Sequence, residues 1–496
     1  MGERRTSPAP ITLDSLIILV VAPIILLEAK RRKILEAVLV PPLEEDTAIS
    51  AEQWSNLRYS VRVLFSSFAV AACTRRPVLN EPIFPLMPPF TAIRARITAL
   101  TSSNHGMPLR NRLYVAFRTL QPLCMQWLYT LLFFLDDLIF SGHRSVKIED
   151  PVFIVGGFRT GSTSLHRVLA LDEERYCSPR FLELAMPFLS FHYFLDFLGW
   201  LDNRAGTFFL LSIEKALQGA AGPDVMARHP MALVVAEECD VLLSTAHWCG
   251  YYAITLFPFT KSWEAFGDIS SFTAAEKAHV MALYKRTVQK VLYRRGRPGQ
   301  TLLSKSHLVD CCPLWRTAFP GAKFVNIIRH PKEVVPSWVA LAQPAATMLT
   351  GWQTPQLPTA VDAHLAFWDR FFEKEYAFFK TGRFLQGSRE KGVEGDLKNK
   401  TGGRTTEEEE KRGDRIVLQF RPFIKQQLTT MRDVYEGWGW PFDGTPFLHR
   451  LLAVQEANKG YKGGGHGYKN PTLEELGISE TIINERFATY ILNMGL

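Results

Sequence analysis

The stretch Pro151-Val-Phe-Ile-Val-Gly-Gly-Phe-Arg-Thr-Gly-Ser-Thr-Ser-Leu-His-Arg-Val-Leu-Ala-Leu-Asp-Glu-Glu174 decides the fold. PVFIV is a short, unbroken apolar run that ends in glycines, which reads as a strand buried on both faces. SLHRVLALDEE reads as a helix. The connection between them is rich in Gly, Ser and Thr. A second unit of this kind begins at AKFVNII, 322–328, and turns through RHP into KEVVPSWVAL. Strands that alternate with helices predict an α/β fold with a parallel sheet. Between Gly156 and Ser164 the glycines let successive N–H groups face one concavity, and the helix start behind them adds partial positive charge. The result is an anion cradle. Ser162 and Thr163 add hydroxyls and Arg159 adds a fixed cation.

The spacing Gly156-x4-Gly161 fits a nucleotide-hydrolysing loop, but Ser162 stands where that loop requires Lys. The charge that reaches the β and γ phosphates is then missing, and NTP hydrolysis is disfavoured. In this form the stretch resembles the 5′-phosphosulfate loop of the P-loop sulfotransferases, G-x-P-R-S-G-T-T between a strand and a helix. Arg159, Gly161 and Thr163 match. Phe158 replaces Pro, Thr160 replaces Ser, and Ser162 replaces the first Thr.

The resemblance continues in LLSKSHLVDCCPLWRTAFPGAKFVNIIRHPKEVVPSW, 302–338, which is similar to the family's Lys-Ser segment, F-P-x-A-K-F and R-x-P-x-x-V-x-x-S. Weaker matches are SPRFLELAMP (178–187), RHPMALVVAEECDVLL (228–243) and the C-terminal stretch 462–491. Together they cover about 151–385 and 416–496. The branch indicated is the one related to bacterial-type and tyrosylprotein sulfotransferases.

The resemblance implies a donor, 3′-phosphoadenosine 5′-phosphosulfate, and no metal. Gly157, Arg159, Thr160, Gly161, Ser162, Thr163 and Ser164 would hold its 5′ end, and Arg329 and Ser337 its 3′-phosphate. The reading of the residues agrees, because Arg329 ends a strand and Ser337 lies on the next helix, near the sheet edge where ligands bind. Lys305 would stabilise the bridging oxygen. Three groups compete for the base that takes the acceptor's proton. Glu183 ranks first, by its place in the tyrosylprotein and bacterial-type branches. His307 ranks second, as in the cytosolic branch's Lys-x-His. Glu237 ranks third, from the pair Glu237 and Glu238. Two other classes stay open: a degenerate, membrane-anchored scaffold, and a divergent nucleotide kinase. The acceptor is a lipid or other apolar alcohol, a carbohydrate, an amine or a protein Tyr. The aromatic stretches 184–213 and 248–259 are candidate lining for an apolar acceptor.

Outward from this core, the chain divides into a helical, apolar, membrane-associated region at 1–145 and a sulfotransferase domain at 146–496. The run Leu16 to Leu27 is followed by EAKRRK. At twelve residues it is short for a bilayer span. It reads as an anchor, a membrane-lying or buried helix, or a targeting segment. Gly2 with Thr6 also fits a myristoylation pattern. Residues 119–135 are uncharged over seventeen positions, at the lower limit for a span, and read equally as a core helix. An anchor in this family implies a Golgi or other endomembrane location, whereas the basic KRRK favours a cytosolic side for the downstream domain. Residues 386–415 carry eight basic and eight acidic residues without an aromatic, which predicts a solvated, disordered insertion. Asn399 and Thr401 within it form a glycosylation sequon.

Composition sets the limits. Of 496 residues 47% are hydrophobic and 21% charged, which excludes a disordered tail protein, a collagen and a polytopic channel. The net charge of +8 fits an anionic ligand, a membrane surface or nucleic acid, and does not choose among them. No segment reads as a nucleic-acid reader. The seven cysteines are scattered and lack CxxC, so neither a structural zinc site nor a disulfide scaffold is expected. Cys311 and Cys312 read as small buried residues. His229 and His247 are singletons and read as structural.

Overall fold

The computed structural model describes residues 107–204, 223–228, 235–245, 272–352, 358–385, 414–457 and 470–496, with a few isolated positions between 212 and 269. The readings at 2–33, 248–259 and 399–401, together with His229 and His247, lie outside the described residues.

Six strands form one parallel sheet in the order β2-β3-β1-β4-β6-β5. They are β1 (Val152–Val155), β2 (Tyr176–Cys177), β3 (Thr301–Ser306), β4 (Lys323–Ile328), β5 (Arg383–Phe384) and β6 (Arg415–Gln419). All four residues of β1 are buried, as are five of six in β3 and in β4. A parallel sheet covered by helices on both faces requires this, and it is why β1 reads as an unbroken apolar run. In register, Val155 pairs with Ser306 of β3 on one side and Asn326 of β4 on the other. The carboxyl ends of β1 and β3 therefore finish level, and β4 runs on past them to Ile328. The chain leaves β1 at a point with strands continuing on both sides, the place where open α/β sheets bind ligands. Arg415 belongs to β6 and is buried, so the segment whose composition predicts a solvated insertion yields its last residue to the sheet.

The helices that build and support this edge are α1 (Leu109–Cys124), α2 (Gln126–Ile139), α3 (Ser162–Leu169), α4 (Phe181–Ala185), α5 (Leu189–Arg204), α6 (Asp240–Thr245), α7 (Ala274–Arg295), α8 (Cys312–Ala318), α9 (Pro331–Thr350), α10 (Pro358–Phe379), α11 (Phe420–Lys425) and α12 (Ala488–Met494). The long α7 opens on a Thr273–Glu276 capping box and closes with Arg294 and Arg295, both suited to the helix dipole. The alternative of a span at 119–135 is corrected. The helix breaks at Met125 between α1 and α2, and Tyr129 and Phe133 enter the main core. Asp136, which closes the uncharged run, is fully buried. It accepts the Leu189 and Ser190 N–H groups at the start of α5 at 2.7 and 2.8 Å, and pairs with Lys290 at 2.8 Å. Beside it, Asp137 binds His143 and Arg286. Among the described residues no helix is long and apolar enough to cross a membrane. Cys177, Cys239, Cys311 and Cys312 are free and buried, and burial pushes each thiol up.

Candidate active site

The loop 156–161 leaves β1 and closes on itself. Thr160 Oγ1 donates to the Gly157 carbonyl at 2.8 Å, so this side chain, assigned to the donor from sequence, turns inward and fixes the loop. Arg159 and Gly161 adopt positive φ, 64° and 103°. At Gly161 a Cβ would stand 2.5 Å from the ring of Phe420, so only glycine fits. The helix α3 begins at Ser162, and its first backbone N–H groups, at Ser162, Thr163 and Ser164, lack intrahelical partners. They and the helix dipole face the end of the sheet. Phe158, in place of the family's proline, packs its ring on His307 at 4.1 Å and Trp338 at 4.6 Å between centroids. Burial supplies the stiffness a proline would have given.

Lys305 ends in this loop. It is 1% exposed, and its Nζ donates to Thr163 Oγ1 at 2.9 Å and to Glu238 Oε2 at 2.5 Å. Burial would lower its pKa, but Glu238 and Glu237 raise it above the ordinary lysine value, so the ammonium persists at neutral pH. His307 lies two residues on. Its Nδ1 is 2.6 Å from the Gly156 carbonyl, which can only accept, so Nδ1 carries a proton. Its Nε2 faces Glu238 Oε2 at 3.1 Å. That contact is satisfied when a proton lies between the two atoms, so the pair can hold one.

Glu238 reaches this position because residues 235–239 run as a short extended link. Ala236 bridges Arg180, and Glu238 bridges Lys305 in parallel register. Successive side chains of such a link point to opposite sides. The sequence points to Glu237 as a candidate base, and the structure brings its neighbour to the lysine instead. Glu237 is buried and accepts the Glu238 N–H at 3.1 Å. Asp240 carries no signal in the sequence that singles it out. Its oxygens accept Ser306 Oγ at 2.5 Å and the His307 N–H at 2.8 Å, fixing the turn that presents His307. Burial pushes its carboxyl up to about 6.

Glu183 is bound by arginines. It lies on α4 with both oxygens taken: Oε1 by Arg294 and Arg295 at 3.1 and 2.7 Å, Oε2 by the Arg180 N–H and Arg295 at 2.9 and 2.8 Å. Burial pushes its carboxyl up, but the hydrogen bonds and charge of Arg295 outweigh that and bring it below its ordinary value. A carboxylate held ionised by two arginines is a structural link between α4 and α7 and a poor proton acceptor at neutral pH.

On the other side of the loop, Arg159 Nε donates to Ser337 Oγ at 2.9 Å and its Nη1 to the Arg228 carbonyl at 2.9 Å. Its guanidinium thus joins the group assigned to the 3′-phosphate rather than lying along the 5′ loop. Arg329 Nη1 donates to the Arg159 carbonyl at 3.1 Å, and its plane lies 4.5 Å from the Phe420 ring. Glu333 pairs with Arg329 at 2.7 Å and also with Arg421. Burial pushes the Glu333 carboxyl up, but hydrogen bonds from both arginines bring it below its usual range.

Glu238, Asp240 and His307 are the described group whose spacing could hold a metal ion. The chemistry of the donor set argues otherwise. The Lys305 ammonium already sits on Glu238, and Asp240 is spent on Ser306 and the His307 N–H.

Comparison with known proteins agrees with this geometry. The profile described as "Sulfotransferase family" matches residues 151–386. The omega-hydroxy-beta-dihydromenaquinone-9 sulfotransferases Stf3 of Mycobacterium bovis and Mycobacterium tuberculosis are each 30% identical over 222 residues, 43% of this chain and 50% of the relative. The chain thus spans about half the length of the curated relatives it matches. Among solved structures, the sulfotransferase STF1 of Mycobacterium tuberculosis H37Rv aligns with TM-score 0.52 at 16% identity, covering 86% of this chain and 98% of that one. STF9 of Mycobacterium avium aligns with TM-score 0.55 at 13% identity, covering 90% and 97%. At these identities the structures support the fold alone. Residues 151–386 of this chain are thus similar to the sulfotransferase family in sequence, and its α/β core has the fold of solved sulfotransferases.

Proposed function

We propose that this chain transfers a sulfuryl group from 3′-phosphoadenosine 5′-phosphosulfate to the hydroxyl of a lipid-like acceptor. The observation that carries the reading is the array Thr163, Lys305, Glu238 and His307, assembled where the phosphate loop meets the carboxyl ends of β1 and β3. Sulfuryl transfer, like phosphoryl transfer, is in-line displacement with charge spread over equatorial oxygens. The protein's work is positioning and charge stabilisation. The N–H groups of Ser162 to Ser164 receive the 5′ anion, with Gly157 and Gly161 shaping the loop that presents them. Lys305, steadied by Thr163, meets the negative charge that grows on the bridging oxygen as the bond to sulfur breaks. The Glu238–His307 pair takes the proton of the acceptor hydroxyl. Arg159, Arg329 and Ser337 receive the 3′-phosphate, with Glu333 holding Arg329 in place. Lys305 supplies the cation at the leaving oxygen, so the reading needs no metal.

The acceptor class is supported by the relatives, whose name specifies a hydroxylated menaquinone. It is supported also by exposed aromatic side chains on α2 and α5, where Trp127, Phe134, Phe194 and Phe197 are 41–64% exposed. Such side chains suit an apolar acceptor or the surface of a membrane that contains it.

The test is transfer of radioactive sulfate from labelled donor into extracted membrane lipids, with oligosaccharides and tyrosyl peptides as parallel acceptors. Label in the lipid fraction alone is the expected result. Label in either other fraction would reassign the acceptor. Arg329→Ala is expected to weaken binding of 3′-phosphoadenosine 5′-phosphate by about 1.5–3 kcal/mol, the value of a lost charged hydrogen bond, in a calorimetric titration. ATP with Mg²⁺ should not compete.

A further inference from the structure

The underside of the phosphate loop rests on α10. Trp368 and Glu375 of that helix lie two turns apart on one face, and both meet the loop. A Cβ at Gly157 would stand 3.0 Å from the Trp368 ring, and one at Gly156 would stand 3.1 Å from Asn326 Oδ1. Glu375 is fully buried and faces the Asn326 side chain and the Gly157 N–H. Tyr490 of α12 donates a hydrogen bond to its Oε2. Its Oε1, both polar atoms of Asn326 and the Trp368 indole N–H have no protein partner at hydrogen-bond geometry. Buried polar atoms are normally paired, and orphans collected at one place ask for an explanation. None of these residues carries a role in the transfer described above.

We propose that Glu375 is a positioning residue for the phosphate loop, and that it seats the loop for an anion when its carboxyl carries a proton and opposes the anion when it does not. The proposal rests on the reading of this loop as the donor site. Burial pushes the carboxyl up to about 7. Among the described residues, the titratable groups facing it are Tyr490 and, from the start of α8, Cys312. Burial raises both well above their ordinary values, so both are neutral where Glu375 changes state. Among the described residues, the groups that favour its charged form are the Tyr490 hydroxyl, the Asn326 side chain and the Gly157 N–H, and none is a cation.

Below about pH 7 the neutral acid leaves the loop's field positive. As pH rises through that value, a negative charge forms beneath the anion site and draws on the Gly157 N–H, and donor affinity falls. By linkage, donor binding retains the proton, so binding near neutrality takes protons up. A carboxyl whose pKa moves one unit on binding changes affinity about tenfold across its titration.

The experiment is calorimetric titration of the full chain with 3′-phosphoadenosine 5′-phosphate from about pH 6 to about pH 8.5, in buffers of differing ionisation heat, a window centred on the carboxyl. Wild type is compared with Glu375→Gln. The ligand's own titration is common to both. Wild type should lose about tenfold more affinity over this range than Glu375→Gln, and should take up more protons near neutrality. Tyr490→Phe is the second variant. The lost hydrogen bond favoured the ionised form, so its affinity profile should shift to higher pH. Identical pH profiles and proton uptake in wild type and Glu375→Gln would overturn the proposal and leave the donor site standing. Absence of binding by wild type at every pH would overturn the donor reading, and this proposal with it.

Discussion

Lys305→Ala should reduce single-turnover sulfuryl transfer by about two to three orders of magnitude, the cost of removing one preorganised group at a centre of developing charge. The same change should destabilise the fold. Lys305 and Glu238 are both buried and 2.5 Å apart, and removing one partner of a buried pair leaves the other charge uncompensated. That loss runs to about 3–5 kcal/mol. The two effects can be separated. Lys305→Met combined with Glu238→Gln removes both charges and nearly keeps the volume, so urea unfolding should recover most of the stability while transfer stays lost. If the double variant regains transfer with stability, Lys305 is structural and the leaving oxygen must be met by another group. Because Glu238 also belongs to the proton-accepting pair, Glu238→Gln alone is the reference for the double variant, and transfer kept by it but lost in the double variant belongs to Lys305.

The parts of this fold that are legible in the sequence share one property: their local pattern and their tertiary environment agree. β1 is a continuous apolar run because both faces of the sheet are covered, and the loop 156–161 announces itself by glycines that the Phe420 and Trp368 contacts require. β2 and β5, at two residues each, are too short to carry a pattern. The misplacements have physical reasons too. Asp136 and Asp137 look like the polar border of an apolar segment, yet both are buried against cations supplied by α7, about 150 residues away. Glu183 has the spacing of a base but meets Arg294 and Arg295, whose approach depends on how α7 crosses α4. Glu237 and Glu238 cannot be told apart until the parity of one isolated bridge is known. Glu375 sits in the run FFEKEY, where a carboxylate reads as solvated. Only the packing of α10 beneath the loop and of α12 against it buries the group.

Gly161→Ala should cost at least about 100-fold in affinity for 3′-phosphoadenosine 5′-phosphate, about 2.8 kcal/mol. Two independent penalties meet at this position. Its φ of 103° is one that L residues rarely adopt, and an added Cβ would lie 2.5 and 2.7 Å from two atoms of the Phe420 ring. That ring cannot give way cheaply, because Arg329 lies over it and it starts α11 directly after β6. The loop must therefore move, and with it the N–H groups of Ser162 to Ser164 that the anion needs. Gly299→Ala is the control. Gly299 also has positive φ, 84°, but a Cβ there meets nothing within 4 Å and the site is exposed. It should lower the melting temperature modestly and leave binding intact. Gly161→Ala with Phe420→Ala relieves the clash and keeps the backbone strain, so any affinity it regains over Gly161→Ala measures the steric share. Unchanged binding in Gly161→Ala would mean that the loop's left-handed turn is incidental to anion binding, and the anion would have to be held by Arg159 and Arg329 alone.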